Sequence, residues 1–140
     1  MKMDTVSQQV GLRMFIGRQR YEHPLNATLA YDRKEPYEVR VVFPAGLEHL
    51  DLALARDLLA SGLTGPATYG GIRVWPTHDQ YWAVCIGWTD QDGQAWLEAP
   101  ATMVMHFLNL TYHLVPQGTE PPRTDIDHVI AAILAEGGPR

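Results

Sequence analysis

Hydrophobic and polar residues alternate along the first third of the chain, and a period of two is typical of strands that bury one face. The longest such run is 5–16, and shorter ones follow over 25–31 and 37–43. Between the first two runs, the polar and basic stretch 17–24 predicts a loop. In the first run the apolar residues that share a face are Val6, Val10, Leu12, Met14 and Ile16. The pattern therefore predicts three half-buried strands.

A fourth strand passes directly into a short helix. Leucines at every second position of 50–54 predict the strand, and 55–63 then predicts a helix of two turns. Gly62 suits the left-handed position at which many helices end, and Leu63 beyond it is placed to pack against the last turn. The glycine- and proline-rich segment 62–71 is predicted to separate the two halves of the chain.

The second half repeats this order of elements. Residues 72–75 predict a strand closed by Pro76, and 81–88 predict the next strand. The Asp-Gly pair within 90–93 predicts a hairpin turn, because these residues tolerate positive φ, and 94–98 is then the returning strand. The second half therefore contributes three more strands before its own helix.

Two further helices are predicted. Pro100 suits the first position of a helix, where its missing N–H costs nothing. Thr124 and Asp127 form a capped start for a last helix that ends before Gly137. The apolar face of the first helix comprises Val104, Phe107, Leu108 and Leu114, and that of the second comprises Ile126, Val129, Ile130, Ile133 and Leu134. The fold class predicted is α+β in one domain over 1–140, with an antiparallel strands-then-helix unit occurring twice plus a C-terminal helix.

The run 81–88 is apolar on both faces, unlike a strand with one face in water. Trp82, Val84, Ile86 and Trp88 lie on one face, and Tyr81, Ala83, Cys85 and Gly87 lie on the other. A helix layer is able to cover one face. The other face requires either more of the same chain or another subunit, and the sequence leaves these two open.

Composition and charge exclude several classes of protein. The 140 residues are 46% hydrophobic and 19% charged, which is a globular composition, with a net charge of −5. The 11 basic residues are scattered apart from a loose group at Arg13, Arg18 and Arg20, which disfavours nucleic acids and anionic membranes as partners. A single cysteine, Cys85, excludes an internal disulfide. With no signal peptide and no membrane-spanning run visible, we expect a cytoplasmic protein.

The histidines do not predict a metal site. His106 and His113 lie seven residues apart on one predicted helix, which separates them by about 10 Å, too far to share one ion. His78 with Asp79, and His49 with Asp51, lack a further ligand at a suitable spacing. We therefore expect no metal and no cofactor.

No catalytic group stands out. Cys85 lies in mid-strand with no neighbouring base, which indicates a buried small side chain rather than a nucleophile. Ser61 lies at a helix end, outside the strand-turn-helix elbow of a hydrolase. The run 90–93 lacks the later ligands of a calcium loop, and Gly70-Gly71 is not followed by the lysine of a phosphate loop. We expect a protein that is not an enzyme.

The four tryptophans admit two interpretations. Stacking platforms for single-stranded nucleic acid require basic residues nearby, and only Arg73 is close in sequence. Aromatic residues of a core or of a subunit interface require nothing more, so this second interpretation is favoured. The tryptophans are Trp75, Trp82, Trp88 and Trp96.

Several short blocks, in this order, resemble the SsgA-like family of actinobacterial sporulation and cell-division proteins, and most closely its SsgB-type branch. No block is decisive alone, but together they run from Leu25 to Glu136. The blocks are Leu29-Ala30-Tyr31-Asp32, Pro36-Tyr37, 55–63, 72–76, 96–100, 115–120 and Ile133-Leu134-Ala135-Glu136.

The resemblance implies a non-enzymatic adaptor of cell division. Members of the family are associated with bringing the tubulin-like protein FtsZ to sporulation septa, together with an SsgA-type paralogue. The resemblance also implies a Whirly-type fold and a trimeric assembly. Because Whirly-type proteins bind single-stranded nucleic acid, such binding is the alternative function, and it would be salt-sensitive. The family supplies no catalytic residues.

Overall fold

In the residues that it describes, a computed structural model of the chain shows one eight-stranded antiparallel sheet and two helices. It describes residues 4–17, 19–47, 50, 52–90 and 93–120, of which 19–24 and 90 are described by their backbone only. The elements in chain order are β1 (Thr5–Ile16), β2 (Gln19–Asp32), β3 (Glu38–Val42), β4 (Leu52–Ala55), α1 (Arg56–Ser61), β5 (Ala67–Tyr69), β6 (Ile72–Thr77), β7 (Ala83–Asp90), β8 (Gly93–Pro100) and α2 (Ala101–Leu114).

The sheet is built from two four-stranded meanders, each followed by a helix. Its strand order is β4-β3-β2-β1-β8-β7-β6-β5, so the first strand of one meander pairs with the last strand of the other. That junction pairs Met14 with Leu97 and Phe15 with Trp96. The predicted unit of strands followed by a helix, occurring twice, is confirmed.

The core lies between one face of the sheet and the two helices. The period-two face predicted for 5–16 is confirmed, because Val10, Leu12, Met14 and Ile16 are all buried, and Val6 is partly buried against the same core. Val104, Phe107 and Leu108 of α2 are buried, as its apolar stripe predicts. Leu114 of that stripe is only partly buried.

The loop predicted over 17–24 is wrong, because β2 begins at Gln19. Gly17, with φ of 58°, turns the chain, and the register shifts between Leu12 and Met14. This irregularity lies opposite Pro24, which has no N–H to give to the ladder. The polar composition of the segment hid the strand, since backbone pairing in a long hairpin does not require apolar side chains.

The predicted end of β6 at Pro76 is also wrong, because the strand runs to Thr77. Its outer neighbour β5 pairs with β6 only as far as Val74, so Pro76 lies where β6 has no partner on that side among the described residues. A proline is tolerated there because its missing N–H leaves no ladder bond unmade. The strand β5 was not predicted, and Gly70 and Gly71, with φ of 60° and 79°, form the two-residue turn between β5 and β6.

Gly62 is not left-handed, contrary to the prediction. Its φ of −68° and ψ of −11° are those of a right-handed helix. A Cβ atom at this position would lie 2.0 Å from Cγ1 of Val74, so close approach to β6 is what requires a glycine. Leu63 is buried, as predicted.

The remaining predictions concern the hairpin and the helices of the second half. Strands β7 and β8 pair from Ala83–Pro100 to Asp90–Gly93, which confirms the hairpin. Pro100 precedes α2 as its cap residue instead of occupying its first turn. The last helix, predicted from Thr124, lies outside the described residues.

Candidate functional site

Three aromatic side chains form a layer on the face of the sheet that points away from α2. The ring centroids of Phe15 and Trp96 lie 5.0 Å apart, and those of Trp96 and Trp75 lie 6.5 Å apart in an edge-on arrangement. We call Phe15, Trp75 and Trp96 the outer aromatic layer. It spans β1, β8 and β6, and therefore joins the two meanders on the outside as the core joins them on the inside.

Gly87 of β7 makes room for this layer. It pairs with Trp96 on one side and with Arg73 on the other, and an added Cβ would lie 3.1–3.2 Å from the ring of Trp75. The guanidinium carbon of Arg73 lies 5.0 Å from the centroid of that ring, at cation–π distance. Trp96 is 42% exposed although it belongs to the centre of the sheet. The layer thus presents apolar surface to solvent in the single chain.

The predicted burial of both faces of the run 81–88 is confirmed in part, since Tyr81 of the second face is 39% exposed. Val84 and Ile86 face the core and are fully buried, while Ala83 and Cys85 on the opposite face are also buried. These small side chains of the second face are therefore buried within the single chain. What stays exposed is the adjoining aromatic surface, not the strand itself.

The polar margin of the layer is formed by Tyr81 and Glu98. The Tyr81 hydroxyl donates a hydrogen bond of 2.8 Å to the Glu98 carboxylate. Burial, followed by this hydrogen bond, raises the pKa of Tyr81 above its ordinary value, so the phenol remains a donor at neutral pH. Arg13 of β1 lies opposite Glu98 in the register. An apolar centre with a polar margin is the arrangement typical of protein interfaces.

The other two tryptophans lie on the core side and are partly buried. Trp88 lies 6.4 Å from Phe43 between ring centroids, and Trp82 stacks on His78 at 6.1 Å. The four tryptophans predicted as one class therefore divide between the core and the exposed outer layer.

A buried arginine, which the sequence analysis did not identify, ties both helices together. Arg56 is 1% exposed, and its Nη1 donates to the carbonyl of Val115 at 2.7 Å and to that of Thr111 at 3.4 Å. Its Nη2 forms an ion pair with Glu120. The rings of Tyr31 and Tyr112 lie at 5.1 and 4.9 Å from its guanidinium carbon. The one signal in the sequence is a charged residue between the apolar β4 and the apolar face of α1.

The electrostatics of this cluster favour the ion pair. Burial alone would raise the pKa of Glu120, but hydrogen bonding and attraction to Arg56 outweigh it, so the pKa lies below its ordinary value. Burial raises the pKa of Tyr31 and Tyr112, and the charge of Arg56 opposes that rise. Glu120 is thus held ionised where the described part of the chain ends. These groups stabilise the fold and do not resemble a catalytic set.

Within the described residues, the histidines, acidic residues and cysteine considered as metal ligands or nucleophiles do not form a common site. Among those residues, no group of three or more histidine, cysteine or acidic side chains could hold a metal ion. Cys85 is buried as predicted, and desolvation, with the charge of Glu98, raises its pKa to about 11. The backbone carbonyl of Ser61 closes the turn after α1 by accepting from Gly65. His49 and Asp51 lie outside the described residues.

Two hollows on the surface adjoin β3. The larger, of about 730 Å³, lies between the two ends of the sheet, where β4 and α1 face β5. The smaller, of about 450 Å³, lies beside it, and Glu38 lines both. No helix in the described part of the chain is long and apolar enough to span a membrane.

Comparison with known proteins gives consistent matches over most of the chain. The family model described as Streptomyces sporulation and cell division protein SsgA matches residues 25–120. The sporulation-specific cell division protein SsgB of Streptomyces coelicolor is 42% identical over 135 residues, which cover 94% of this chain and 97% of that protein.

Solved structures support the same relationship. A structure of SsgB from Streptomyces coelicolor, reported with mutations that correlate with longitudinal cell division during sporulation, has a TM-score of 0.73 at 40% identity. It covers 86% of this chain and 96% of its own. An SsgA-like sporulation-specific cell division protein from Thermobifida fusca also has a TM-score of 0.73, at 31% identity, and covers 98% and 99%.

Proposed function

The chain belongs to the SsgA family of sporulation and cell division proteins, and from this we propose that it is a non-enzymatic adaptor that helps recruit or position FtsZ at sporulation septa. The observation that carries the proposal is the 42% identity, over nearly the whole of both chains, to a protein named for sporulation-specific cell division. The family is described by its role in cell division and not by a reaction. An SsgA-type paralogue is the second partner that we propose.

We further propose that the chain acts as a homo-oligomer, with a trimer as the expected assembly, and that the outer aromatic layer takes part in its contacts. A protein of −5 net charge with a 42% exposed tryptophan in mid-sheet has an apolar surface that a partner subunit would cover. Several identical surfaces on one oligomer would engage several subunits of a filament, and weak single contacts would then give useful avidity.

Co-sedimentation with FtsZ polymers from the same organism tests the adaptor role. The purified chain should pellet with GTP, when polymers form, and stay in the supernatant without GTP. A folded protein that does not pellet under either condition would contradict direct binding, and a second experiment with an SsgA-type paralogue added would then show whether binding is indirect.

Sedimentation velocity tests the assembly separately. We expect a species of about three times the 15.7 kDa chain mass, and Trp96→Ala should shift it towards the monomer. Met105→Ala is the matched control, because Met105 is 40% exposed but lies on α2, away from the layer. Equal assembly of both variants, with both folded, would exclude the outer aromatic layer as the oligomer contact.

The alternative of single-stranded nucleic-acid binding, together with the Whirly-type fold that suggests it, stays a prediction. The names of the relatives favour cell division instead. On the outer face, the guanidinium of Arg73 lies over Trp75, but the basic residues of this acidic chain are scattered along the sequence, which disfavours phosphate binding. Quenching of tryptophan fluorescence by oligonucleotides at low salt would revive this alternative.

A further inference from the structure

The two ends of the sheet face one another across the larger hollow. The strands β4 and β5 are the first and last in the sheet order, so each pairs with one neighbour only among the described residues. The hollow is lined by 53–55 of β4 and by 67–69 of β5, and α1 contributes Leu58 and Ser61. Close contact of Gly62 with Val74 holds the two ends together at one side of the hollow. We call this hollow the edge cleft.

Backbone groups make the edge cleft different from an ordinary apolar groove. An edge strand presents N–H and C=O groups that have no partner in the sheet, and these are a template for another strand. Here two such edges border one cleft, so a single extended segment in it would have a strand edge on each side. The small side chains of Ala53, Ala55 and Ala67 leave room for a close approach of backbone to backbone.

The charge of the edge cleft selects among extended segments. Among the residues that the structure describes, the acidic side chains that line it are Glu38 and Asp57, and no lysine or arginine does so. Glu38 continues into the smaller hollow, which Asp32 and Glu35 also line. Arg40 lies 3.7 Å from Glu38, but it lines the smaller hollow and not the edge cleft. A segment that carries lysine or arginine is therefore complementary to this surface, and an acidic segment is not.

We propose that the edge cleft binds an extended segment of a partner protein by strand addition, and that this segment alternates apolar and basic side chains. Apolar side chains would pack towards Leu54 and Leu58, and basic ones would lie near Glu38 and Asp57. The four residues of β4 span about 13 Å, which corresponds to about four residues of an extended partner. This binding mode goes beyond FtsZ recruitment and does not depend on it.

A peptide titration of the full chain tests the proposal. The probe is a capped, fluorescein-labelled hexapeptide in which lysine and valine alternate, and the readouts are fluorescence anisotropy and backbone amide chemical shifts. There are three control peptides. The first has glutamate in place of lysine, and the second has the same residues with the valines grouped together. The third has N-methyl groups on alternate backbone amides. We expect the alternating lysine peptide to bind at least tenfold more tightly than each control, with shifts confined to 53–55 and 67–69.

Two lysine substitutions separate the edge cleft from a general attraction to an acidic protein. Thr68→Lys places a cation in the edge cleft and should weaken binding at least tenfold, while Thr89→Lys adds the same charge at an exposed position of β7 and should change it less than twofold. Asp57→Asn should weaken binding several-fold at low salt. Circular dichroism establishes that each variant is folded.

Specific results would overturn the proposal. Equal binding of the N-methylated peptide would exclude strand addition. Equal losses of peptide affinity in Thr68→Lys and Thr89→Lys would show that the peptide responds only to the net charge of the protein. Failure of every peptide to bind at millimolar concentration would overturn it as well, and this includes the case in which another part of this chain fills the edge cleft. Binding that develops only as the protein is diluted would place a second copy there instead. Because these measurements use no FtsZ, they fail or succeed independently of co-sedimentation.

Discussion

Replacing Arg56 should destabilise this protein more than replacing any exposed arginine. In Arg56→Met the stem keeps much of its packing, but the ion pair with Glu120 and the hydrogen bonds to the carbonyls of Thr111 and Val115 are lost. Since Glu120 is only 9% exposed, its carboxylate would remain in a buried position without its cation. Both helices would lose their common contact.

The magnitude follows from burial. Removing one partner of a buried ion pair costs about 3–5 kcal/mol, which is a large part of the roughly 5–15 kcal/mol that stabilise a typical domain. Arg40→Met is the matched control, because Arg40 is half exposed and lies 3.7 Å from Glu38, and exposed pairs contribute less than about 1 kcal/mol. Urea unfolding followed by circular dichroism gives the free energy of unfolding for each variant. A loss below about 1 kcal/mol in Arg56→Met would refute the reasoning.

A double-mutant cycle separates the ion pair from the other contacts of Arg56. Without Arg56, the charge of Glu120 has lost its ion-pair partner. Glu120→Leu should therefore lower the free energy of unfolding far less in Arg56→Met than in the parent protein. The coupling energy should lie in the range of about 0.5–3 kcal/mol that contacting residues show. Additive losses would mean that the carbonyls and rings around Arg56, and not Glu120, account for its effect.

Three further predictions concern pH, backbone and thiol chemistry. Because the pKa of Glu120 is lowered in the folded state, its stabilising contribution should be complete above the unfolded pKa of about 4.3 and should disappear as the pH falls through the folded pKa. The free energies of unfolding of Glu120→Gln and the parent, measured in urea, should therefore converge in acid. Gly62→Ala should lower stability by about 1–3 kcal/mol because its Cβ meets Val74, whereas Gly65→Ala, with open space around it, should not, and equal melting temperatures would contradict the contact. Cys85, with a pKa of about 11, should resist Ellman's reagent at pH 8 until guanidinium unfolds the chain, and rapid labelling of the native protein would contradict its burial.

Local pattern was sufficient for most elements of the fold. The period of two identified β1, β3, β4 and β7 and the faces that they bury, because a half-buried strand must alternate whatever its partners are. The order of strands and helices, twice over, followed from the same reading. The predicted helix over 55–63 is observed as α1, within one or two residues of its predicted start and end.

The errors share one cause, which is that each depended on a neighbour distant in sequence. The first residues of β2 are polar, and β5 is a three-residue strand within a glycine-rich segment; pairing with β1 and β6 makes them strands. Gly62 has an ordinary helical φ, so its reason for being glycine is Val74, twelve residues away. Pro76 is tolerated because β5 is short. Each of these features depends on a contact between two segments and cannot be predicted from either segment alone.

The same division holds for function. The sequence by itself determined the family and the acidic composition, because these depend on residue types and their order. Only the tertiary structure brought Phe15, Trp75 and Trp96 into one exposed layer, buried Arg56 against Glu120, and left two strand edges facing one cleft. Surfaces of this kind are made by residues from separate strands. The pairing register decides which side chains lie together on them, and one segment alone cannot encode that register.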